Sequence, residues 1–437
     1  MNSPFVTVVG AGLAGVEAAY QLARRGIRVR LVEMKKLKKS PAHSLDGFAE
    51  LVCSNSLGSD SKENANGILK EELRLLGSLV IRIADEVRVP AGSALAVDRL
   101  GFSARLTEVI RREPLIEVVD AEAVAIPDGY VIIATGPLTS DALFESLKAL
   151  TGEDALYFYD AAAPIVEFDS IDMTKAYFKS RYDKGEATYI NCPMTKAEYD
   201  AWYDELVKAE CVAAKDFELK VFEGCMPFEE MARRGRETLL FGPMKPVGLE
   251  IAHEKRPHAV VQLRRDDAAA TLYNIVGFQT HLTFPEQRRI LRMIPGLENA
   301  RFARYGVMHR NSFINAPKIL DRFYRVKTTP RIMIAGQLSG VEGYVESVAS
   351  GLAAAVNMAR IVRGQDPVPF PEASVIGALA RYLADTATSD FQPMNANFGL
   401  FPPLETRTQR QQKKIIYAER ALNAIRTMIG DGILDQP

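Results

Sequence analysis

The chain carries four cysteines, and their spacing limits the chemistry open to them. They are Cys53, Cys192, Cys211 and Cys225, and no two of them form the C-x-x-C pair of zinc sites and thioredoxin-type redox pairs. Scattered cysteines in a long cytosolic chain do not suggest a disulfide framework either. We therefore predict no metal site, and expect each cysteine to serve either core packing or thiol chemistry.

Cys225 is placed to act as a nucleophile, in the segment FEGCMPFEEMARRGR. Pro227 and the two glutamates after it predict the first turn of a helix. A thiol just before that turn lies at the positive end of the helix, which lowers its pKa from about 8.5. The glutamates oppose this effect and the following arginines support it. From spacing alone, a buried packing cysteine remains the more common outcome.

Cys53 lies in ELVCSNSL, between an apolar pair and three small polar residues. The apolar Leu51 and Val52 would hold the thiol's backbone against a core, and the polar residues would anchor a loop. Packing and chemistry both stay open for this cysteine.

The elements that must position these thiols begin with a glycine-rich turn. Phe5–Val9 is an apolar run, residues 13–25 have helical periodicity, and IRVRLVE alternates as a strand. The G-x-G-x-x-G fingerprint falls between the first strand and the helix, as dinucleotide binding requires. Its residues are Gly10, Ala11, Gly12, Leu13, Ala14 and Gly15. Glu33 ends the second strand about 20 residues later. At this position a carboxylate accepts hydrogen bonds from the ribose hydroxyls of the dinucleotide.

Two later segments repeat the pattern of an apolar strand followed by a glycine turn. They are IIATG, with Thr135 and Gly136, and IMIAGQ, with Gly336 and Gln337, followed by Gly343, Tyr344 and Val345. Together they resemble the two-dinucleotide-binding flavoproteins, in which the last turn and helix reach the flavin ring. Because only one strong fingerprint is present, we predict FAD as the resident cofactor and NAD(P)H as a visiting reductant.

Length and composition favour a two-domain cytoplasmic protein. A chain of 437 residues exceeds the usual size of one domain. We predict an α/β fold with a Rossmann-like FAD-binding domain, residues 1–165 plus 325–437, interrupted by a mixed α+β insertion at 166–324. The net charge of -1 gives no overall nucleic-acid signal. No stretch reaches about 18 uninterrupted apolar residues, so we expect no membrane span.

Several long blocks make the resemblance more specific. FAELVCSNSL, YDKGEATYINCPM, FEGCMPFE, QLRRDDAAATLYNIVGFQTHL, YGVMHRNSFINAPK and FQPMNANFGLFPPL resemble the folate- and FAD-dependent tRNA (uracil-5-)-methyltransferases. The resemblance runs from Val6 to about Leu404. It implies methylation of C5 of the T-loop uridine at position 54 of tRNA, giving ribothymidine. Methylenetetrahydrofolate would donate the carbon, and FAD reduced by NAD(P)H would supply the reducing equivalents.

The same resemblance implies roles for individual residues. One thiol adds to C6 of uracil and a second group handles the C5 proton; Cys225 is the expected nucleophile and Cys53 the second thiol, although the roles could be exchanged. His281 would stack on the pterin, with Tyr344 and Arg310 also contacting folate. Cys192 and Cys211 match no motif and are predicted to be packing or surface residues.

RNA binding must come from local charge, for which we select Arg233, Arg234, Arg236, Arg264 and Arg265. We expect no obligate protein partner. Three alternatives stay open: the same chemistry on a ribosomal-RNA uridine, a tRNA wobble-uridine-modifying flavoprotein, and a flavin-bound RNA-binding protein without turnover.

Overall fold

The structure is a computed structural model that describes residues 5–40, 42–153, 156–183, 186–212, 226–250, 256–387, 391–404 and 409–434. Within these ranges, the side chains of residues 158–160, 308–310 and 410–411 are not described. Cys225 lies outside the described residues.

Sixteen strands occur in the described part of the chain: β1 Phe5–Val9, β2 Arg28–Glu33, β3 Ser56–Ser59, β4 Arg88–Val89, β5 Ala94–Val97, β6 Ile116–Asp120, β7 Tyr130–Ile133, β8 Leu156–Ala161, β9 Ile165–Glu167, β10 Tyr177–Phe178, β11 Ile190–Met194, β12 Ala259–Arg265, β13 Leu272–Ile275, β14 Phe302–Arg304, β15 Met308–Phe313 and β16 Ile332–Ile334. The α-helices there are α1 Leu13–Arg24, α2 Ala65–Leu75, α3 Leu79–Glu86, α4 Arg99–Arg112, α5 Asp141–Thr151, α6 Lys196–Leu206, α7 Phe228–Arg233, α8 Thr238–Phe241, α9 Phe284–Leu291, α10 Ala316–Ile319, α11 Tyr344–Val362, α12 Val375–Ala384 and α13 Arg410–Gly430.

A five-stranded parallel sheet forms the nucleotide-binding half, in the order β16-β7-β1-β2-β6. Strands β1, β7 and β16 are short, mainly apolar runs buried on both faces, as parallel strands covered by helices require. The carboxyl ends of β1, β7 and β16 each run into one of the predicted glycine turns. Three segments that are distant in sequence therefore meet at one edge of the sheet, and the predicted Rossmann-like fold is confirmed.

Helix α11 is the core helix of this half. Its small residues let it pack closely on α1, since a Cβ added at Gly351 would lie 2.3 Å from the Ala14 carbonyl oxygen. The helix is long and apolar enough to cross a membrane by composition. Nearly all of it is buried inside the protein, which explains that composition as core packing.

A six-stranded antiparallel sheet forms the second half, in the order β10-β11-β12-β13-β9-β14. Helices α6, α7 and α9 contribute to its core, around the stacked pair Trp202 and Phe228 with ring centroids 6.1 Å apart. The two halves have separate cores, one built from residues between 6 and 147 and between 313 and 434, the other from residues between 166 and 302. The mixed insertion is thus observed, while the domain boundaries themselves stay a prediction.

Candidate active site

The first glycine turn is built for close backbone approach. Gly10 has φ +96°, and a Cβ there would lie 2.6 Å from the Ala134 carbonyl oxygen. A Cβ at Gly15 would lie only 1.8 Å from the Gly10 carbonyl oxygen, so the turn and α1 close only with glycine. A Cβ at Gly12 would meet nothing within 4 Å. Gly12 therefore faces open space at the N-terminus of α1, where a pyrophosphate would approach.

Glu33, at the end of β2, stabilises this turn. Its carboxylate accepts hydrogen bonds from the Ala11 amide at 2.6 Å and the Lys35 amide at 2.8 Å. The side chain also lines the cleft above the turn. Its predicted contact with ribose hydroxyls remains a prediction, to which the structure adds a role in holding the glycine turn.

An open cleft lies over the carboxyl edge of the parallel sheet. Most of the predicted cofactor residues line it: Gly10, Gly12, Leu13, Ala14, Glu33, Thr135, Gly136, Gly336, Gln337 and Tyr344. Gly136, like Gly12, has no atom within 4 Å of an added Cβ. An elongated cleft with two such open backbone positions fits a dinucleotide. We call it the dinucleotide cleft.

Gln337 and Tyr344 close the cleft at its β16 end. The Gln337 side-chain amide donates to Glu342 at 2.6 Å, which fixes the side chain where many flavoproteins carry an acid. Val345 is buried in the core behind Tyr344. The Tyr344 hydroxyl points away from this core, toward the segment that carries Cys53.

The segment 51–55, which we call the Cys53 loop, borders the dinucleotide cleft through Val52. The backbone amides of Cys53 and Ser54 donate to the Tyr344 hydroxyl at 2.8 and 3.3 Å. The half-buried Cys53 thiol lies 3.8 Å from the Ala161 carbonyl oxygen. Burial raises the pKa of Tyr344, and the nearby Cys53 adds to this effect. One tyrosine thus joins the cofactor cleft to a predicted catalytic thiol.

Three arginines hold the Cys53 loop from the other sides, and we call Arg99, Arg264 and Arg304 the arginine cluster. Arg99 donates to the Leu51 carbonyl oxygen, and Arg304 donates to the Val52 carbonyl oxygen. Arg264 donates to Ser54 Oγ at 2.5 Å and to Asn55 Oδ1 at 3.0 Å.

Of these three, Arg99 has a buried carboxylate partner. Both carboxylate oxygens of Asp266 accept hydrogen bonds from the Arg99 guanidinium, at 2.8 and 3.0 Å. The Arg99 side chain is 8% exposed and the Asp266 side chain 3% exposed. A buried bidentate pair of this kind is stable only while both charges are present.

Arg264 was selected as an RNA contact, and the structure gives it another position. It is 8% exposed and its guanidinium is committed to the Cys53 loop. The Arg264 guanidinium therefore holds the Cys53 loop, and an RNA phosphate could reach it only if the loop moved.

Short backbone contacts link the surroundings of the Cys53 loop to the start of α7. Ala161, beside the Cys53 thiol, is followed by Ala162, whose carbonyl accepts from the Thr280 amide at 3.4 Å. The neighbouring Gln279 carbonyl accepts from the Phe228 amide at 2.9 Å. Helix α7 therefore begins close to the end of β8 at Ala161, which lies beside the Cys53 thiol. Helix α7 has only six residues, so the helix dipole that was expected to lower the pKa of Cys225 comes from a short helix.

His281 is buried, with 3% of its surface exposed, and does not line the dinucleotide cleft. Its Nδ1 lies 2.9 Å from Glu229 Oε1, and its Nε2 lies 3.3 Å from Glu230 Oε1. Burial lowers the pKa of the imidazole, but the Cys211 thiol and the Glu229 carboxylate raise it to about 10. This arrangement favours a protonated imidazolium enclosed by acids. Pterin stacking stays a prediction that needs the ring to become accessible.

Cys211, Glu229 and His281 place their ligand atoms within 4.8 Å of one another, a grouping not expected from sequence. Arg233 Nη2, however, lies 3.4 Å from the Cys211 sulfur. Because a guanidinium already supplies positive charge there, we assign the group to an ion-paired cluster rather than to metal ligands. Cys192 is fully buried in the second core, and burial raises the pKa of its thiol.

The remaining predicted RNA residues lie at or near the surface. Arg233 pairs with Glu230 on its own helix, and Arg234 is exposed beside it. Arg236 pairs with Asp200 and Asp204 of α6, so its charge is partly neutralised. Arg265 is half-buried. Arg310 belongs to β15, which pairs with β8, but its side chain is outside the described part.

Sequence reasoning missed Arg99, Asp266 and Arg304. A signal existed in β12 and the residue after it, because Arg264 and Asp266 are two positions apart and so point to the same face of an extended chain. Two charges on the face that packs inward indicate a buried ion network. The partners of such a network cannot be identified from one strand.

The chain matches known proteins over nearly its whole length. The family described as glucose inhibited division protein A matches residues 5–366. The methylenetetrahydrofolate–tRNA-(uracil-5-)-methyltransferase TrmFO of Bacillus cereus (strain AH187) is 58% identical over 432 residues, 98% of this chain and 100% of that protein. The enzyme of the same name from Bacillus licheniformis is 60% identical over 426 residues, 97% and 98% of the two chains.

Solved structures give the same fold at much lower identity. The form II crystal structure of Aquifex aeolicus GidA has a TM-score of 0.69 and 16% identity, covering 98% of this chain and 76% of that one. The form I crystal gives the same score with 78% of that chain covered. The chain belongs to the glucose inhibited division protein A family and, within it, to the folate-dependent tRNA (uracil-5-)-methyltransferases.

Proposed function

We propose that this enzyme methylates C5 of the T-loop uridine of tRNA in the cytoplasm, taking the carbon from methylenetetrahydrofolate and electrons from NAD(P)H through resident FAD. The observation that carries the proposal is the position of Tyr344. Its ring lines the dinucleotide cleft, and its hydroxyl binds the amide of Cys53 at 2.8 Å. A redox cofactor in the cleft and a thiol in the Cys53 loop would then serve one reaction chamber.

FAD would be held by the backbone of the β1–α1 turn and by the turns after β7 and β16. Gly12 and Gly136 leave room for it, since an added Cβ at either would meet no atom. Bound in this way, FAD supplies the hydride equivalent that reduces the transferred carbon. The chain's own part is to fix the cofactor and keep the Cys53 loop against it.

The two thiols would divide the uracil chemistry. Uracil C5 is a weak nucleophile, so Cys225 adds to C6 and thereby loads electron density onto C5. Cys53 accepts the C5 proton after the carbon has been joined, and the electron pair of that bond expels the donor nitrogen from the transferred carbon, which leaves a methylene group on C5. Addition of hydride to this methylene completes the methyl group, restores the C5–C6 double bond and expels Cys225 from C6. The target base must leave the T-loop stack to meet both thiols.

Folate and RNA would enter from the antiparallel half. We assign the pterin to the neighbourhood of His281, Tyr344 and Arg310, and RNA phosphates to Arg233, Arg234, Arg236 and Arg265. Because phosphate contacts release counterions, binding should weaken steeply with salt.

A reconstitution experiment tests the reaction. The purified FAD-loaded protein is incubated with unmodified tRNA transcript, methylenetetrahydrofolate and either NADH or NADPH, and nucleosides are then separated by mass spectrometry. We expect 5-methyluridine at the T-loop position. Its absence from tRNA, together with its presence in ribosomal RNA treated in parallel, would redirect the proposal to the other RNA.

Three cysteine variants test the division of roles. Cys225→Ala and Cys53→Ala should each lower methylation by about a thousandfold or more, as loss of a nucleophile or proton-transfer group does. Cys192→Ala is the matched control, because that thiol lies in the second core; it should keep its activity. Full methylation by Cys225→Ala would remove Cys225 as the nucleophile.

A further inference from the structure

The Cys53 loop is surrounded by more positive than negative charge. Arg264 and Arg304 form no ion pair with a carboxylate among the described residues, whereas Arg99 is neutralised by Asp266. Burial and the neighbouring Arg99 lower the pKa of the Arg304 guanidinium. Holding such a cation out of water is costly unless an anion faces it.

Three groups attract the Arg304 guanidinium: Tyr344, Cys53 and Asp266. Asp266 is already paired with Arg99, and Cys53 is the thiol of the loop that Arg304 binds. Arg304 binds the carbonyl of residue 52 and Arg264 binds the side chain of residue 54, so the guanidinium groups bracket residue 53. The electrostatic attraction between Cys53 and both Arg99 and Arg304 favours the charged forms of the arginines. Opposing this, the Ala161 carbonyl near the sulfur favours the protonated thiol.

The other charged side chains near the Cys53 loop that the structure describes already have partners. On the loop's own segment, Glu50 pairs with Lys35 and accepts amide hydrogen bonds from Ser44 and Leu45. Tyr344 faces the loop from α11 as a neutral phenol whose pKa is raised. The side chains of Asp160, His309 and Arg310, near the same end of β8 and β15, are outside the described part.

We propose that Arg304 and Arg264 are positioning residues that hold the Cys53 loop and favour the ionised thiol of Cys53. The inference rests on the proposed function only for its purpose: an ionised Cys53 can accept the C5 proton, which a neutral thiol cannot. The charge effect itself is a property of the free enzyme.

Alkylation by iodoacetamide measures the ionised thiol directly, without RNA, folate or reductant. The thiolate sulfur bonds to the methylene carbon, iodide leaves, and the thiol proton has already gone to solvent. The rate of labelling of the Cys53 peptide in the FAD-loaded protein, followed by mass spectrometry across pH, gives the midpoint of ionisation.

Four variants are compared with the parent protein. Arg304→Gln removes the charge, Arg304→Lys retains it, and Arg264→Gln tests the second arginine. Arg301→Gln is the matched control, because Arg301 is exposed and paired outward with Glu167 and Asp169 close to Arg304 in sequence.

We expect Arg304→Gln to raise the alkylation midpoint by about one pH unit, about tenfold slower labelling at pH 7. Arg304→Lys should restore most of the rate, Arg264→Gln should give a smaller shift, and Arg301→Gln none. Identical midpoints in the parent and in both glutamine variants would overturn the proposal. If Arg304→Gln does not fold, the other two variants test the proposal. It then requires that Arg264→Gln has a higher alkylation midpoint than the parent protein and that Arg304→Lys has a midpoint close to that of the parent protein.

The outcome is separable from that of the methylation assay. A shifted midpoint in a protein that makes no 5-methyluridine would leave the charge effect standing and refute the proposed reaction. Normal methylation together with unshifted midpoints would support the proposed reaction and refute the charge effect.

Discussion

The dinucleotide cleft and the Cys53 loop lie side by side and are built in opposite ways. The cleft lies over three glycine turns, each directly following a strand of one parallel sheet. The Cys53 loop is held by side chains from α4, β12, β14 and α11, through Arg99, Arg264, Arg304 and Tyr344. A backbone site depends on local conformation, whereas a side-chain site depends on the whole fold being assembled.

The difference also concerns charge. The cleft presents backbone amides and a helix N-terminus, whose partial charges need no counterion inside the protein. The Cys53 loop sits against full charges withdrawn from water, and these destabilise the fold wherever one partner is lost. The following predictions test that contrast, beginning with the largest expected effect.

Removing Arg99 should be the most damaging single change at the Cys53 loop. Arg99→Ala leaves Asp266 as a buried, unpaired charge and frees the Leu51 carbonyl, which should lower the free energy of unfolding by about 3–5 kcal/mol. Urea denaturation measures the loss. The exposed Arg105 of the same helix provides the control, and Arg105→Ala should leave the urea midpoint unchanged.

The double variant Arg99→Met with Asp266→Leu sharpens this result. If the cost comes from the unpaired charge, removing both charges should be less destabilising than removing Arg99 alone. A double variant as unstable as the single one would mean that packing, rather than charge, holds the loop.

Two glycines of one turn should behave differently. Gly15→Ala places a methyl group 1.8 Å from a backbone oxygen and should cost about 3 kcal/mol of stability. Gly12→Ala meets no atom, so it should fold normally while its Kd for FAD rises about tenfold or more, or ~1.4 kcal/mol. Thermal unfolding and flavin fluorescence titration measure the two effects. Equal FAD affinity in Gly12→Ala and the parent would contradict a pyrophosphate at this position.

The nucleotide-binding half has its own buried titratable group, the carboxyl of Glu72. Its carboxyl oxygens accept hydrogen bonds from the Val375 and Ile376 backbone amides at the start of α12. Burial nevertheless raises the pKa of this carboxyl from 4.5 to about 8. The folded protein therefore holds this proton more tightly than the unfolded chain does. The contribution of Glu72 to the free energy of unfolding is therefore fully present below about pH 4.5, and it is lost as the pH rises to about 8.

Between pH 6 and 9 this loss should amount to about 3 kcal/mol, measured by urea unfolding at each pH. Glu72→Gln keeps an acceptor for the amides but cannot ionise, so this part of the pH dependence should disappear. Parallel stability curves for the two proteins would show that Glu72 does not titrate in this range.

The smallest effect is expected at Tyr344. Tyr344→Phe keeps the ring against the dinucleotide cleft and removes the acceptor for the Cys53 and Ser54 amides, at a cost of about 1–2 kcal/mol. FAD content should stay at the parent level while methylation falls. If both fell together, the ring rather than the hydroxyl would be the important part of this residue.

Much of the fold could be predicted because it follows local rules. The β1–α1–β2 unit has apolar runs of the right length, a glycine turn between them and a helix with one apolar stripe, and it forms from Phe5 to Glu33 as expected. Less of the second half was predicted, because its six strands pair across long sequence separations.

The candidate site divides in the same way. The glycines, Glu33 and the cysteines could be selected from residue type and spacing. Arg264 was selected for its charge, but the reason for that charge became visible only when its guanidinium was seen against Ser54 and Asn55. The burial of His281 between Glu229 and Glu230 was likewise not encoded in any local pattern.

The sequence alone determined the dinucleotide turn and the family resemblance, since glycine spacing and long motif blocks are properties of neighbouring residues. Tertiary structure alone decided which charges face the Cys53 thiol. Arg99, Arg264 and Arg304 are up to about 200 residues apart, and their guanidinium groups converge because the start of α4 and the strands β12 and β14 meet at the Cys53 loop. Electrostatic effects on a thiol depend on distance in space, and distance in space exists only once the chain has folded.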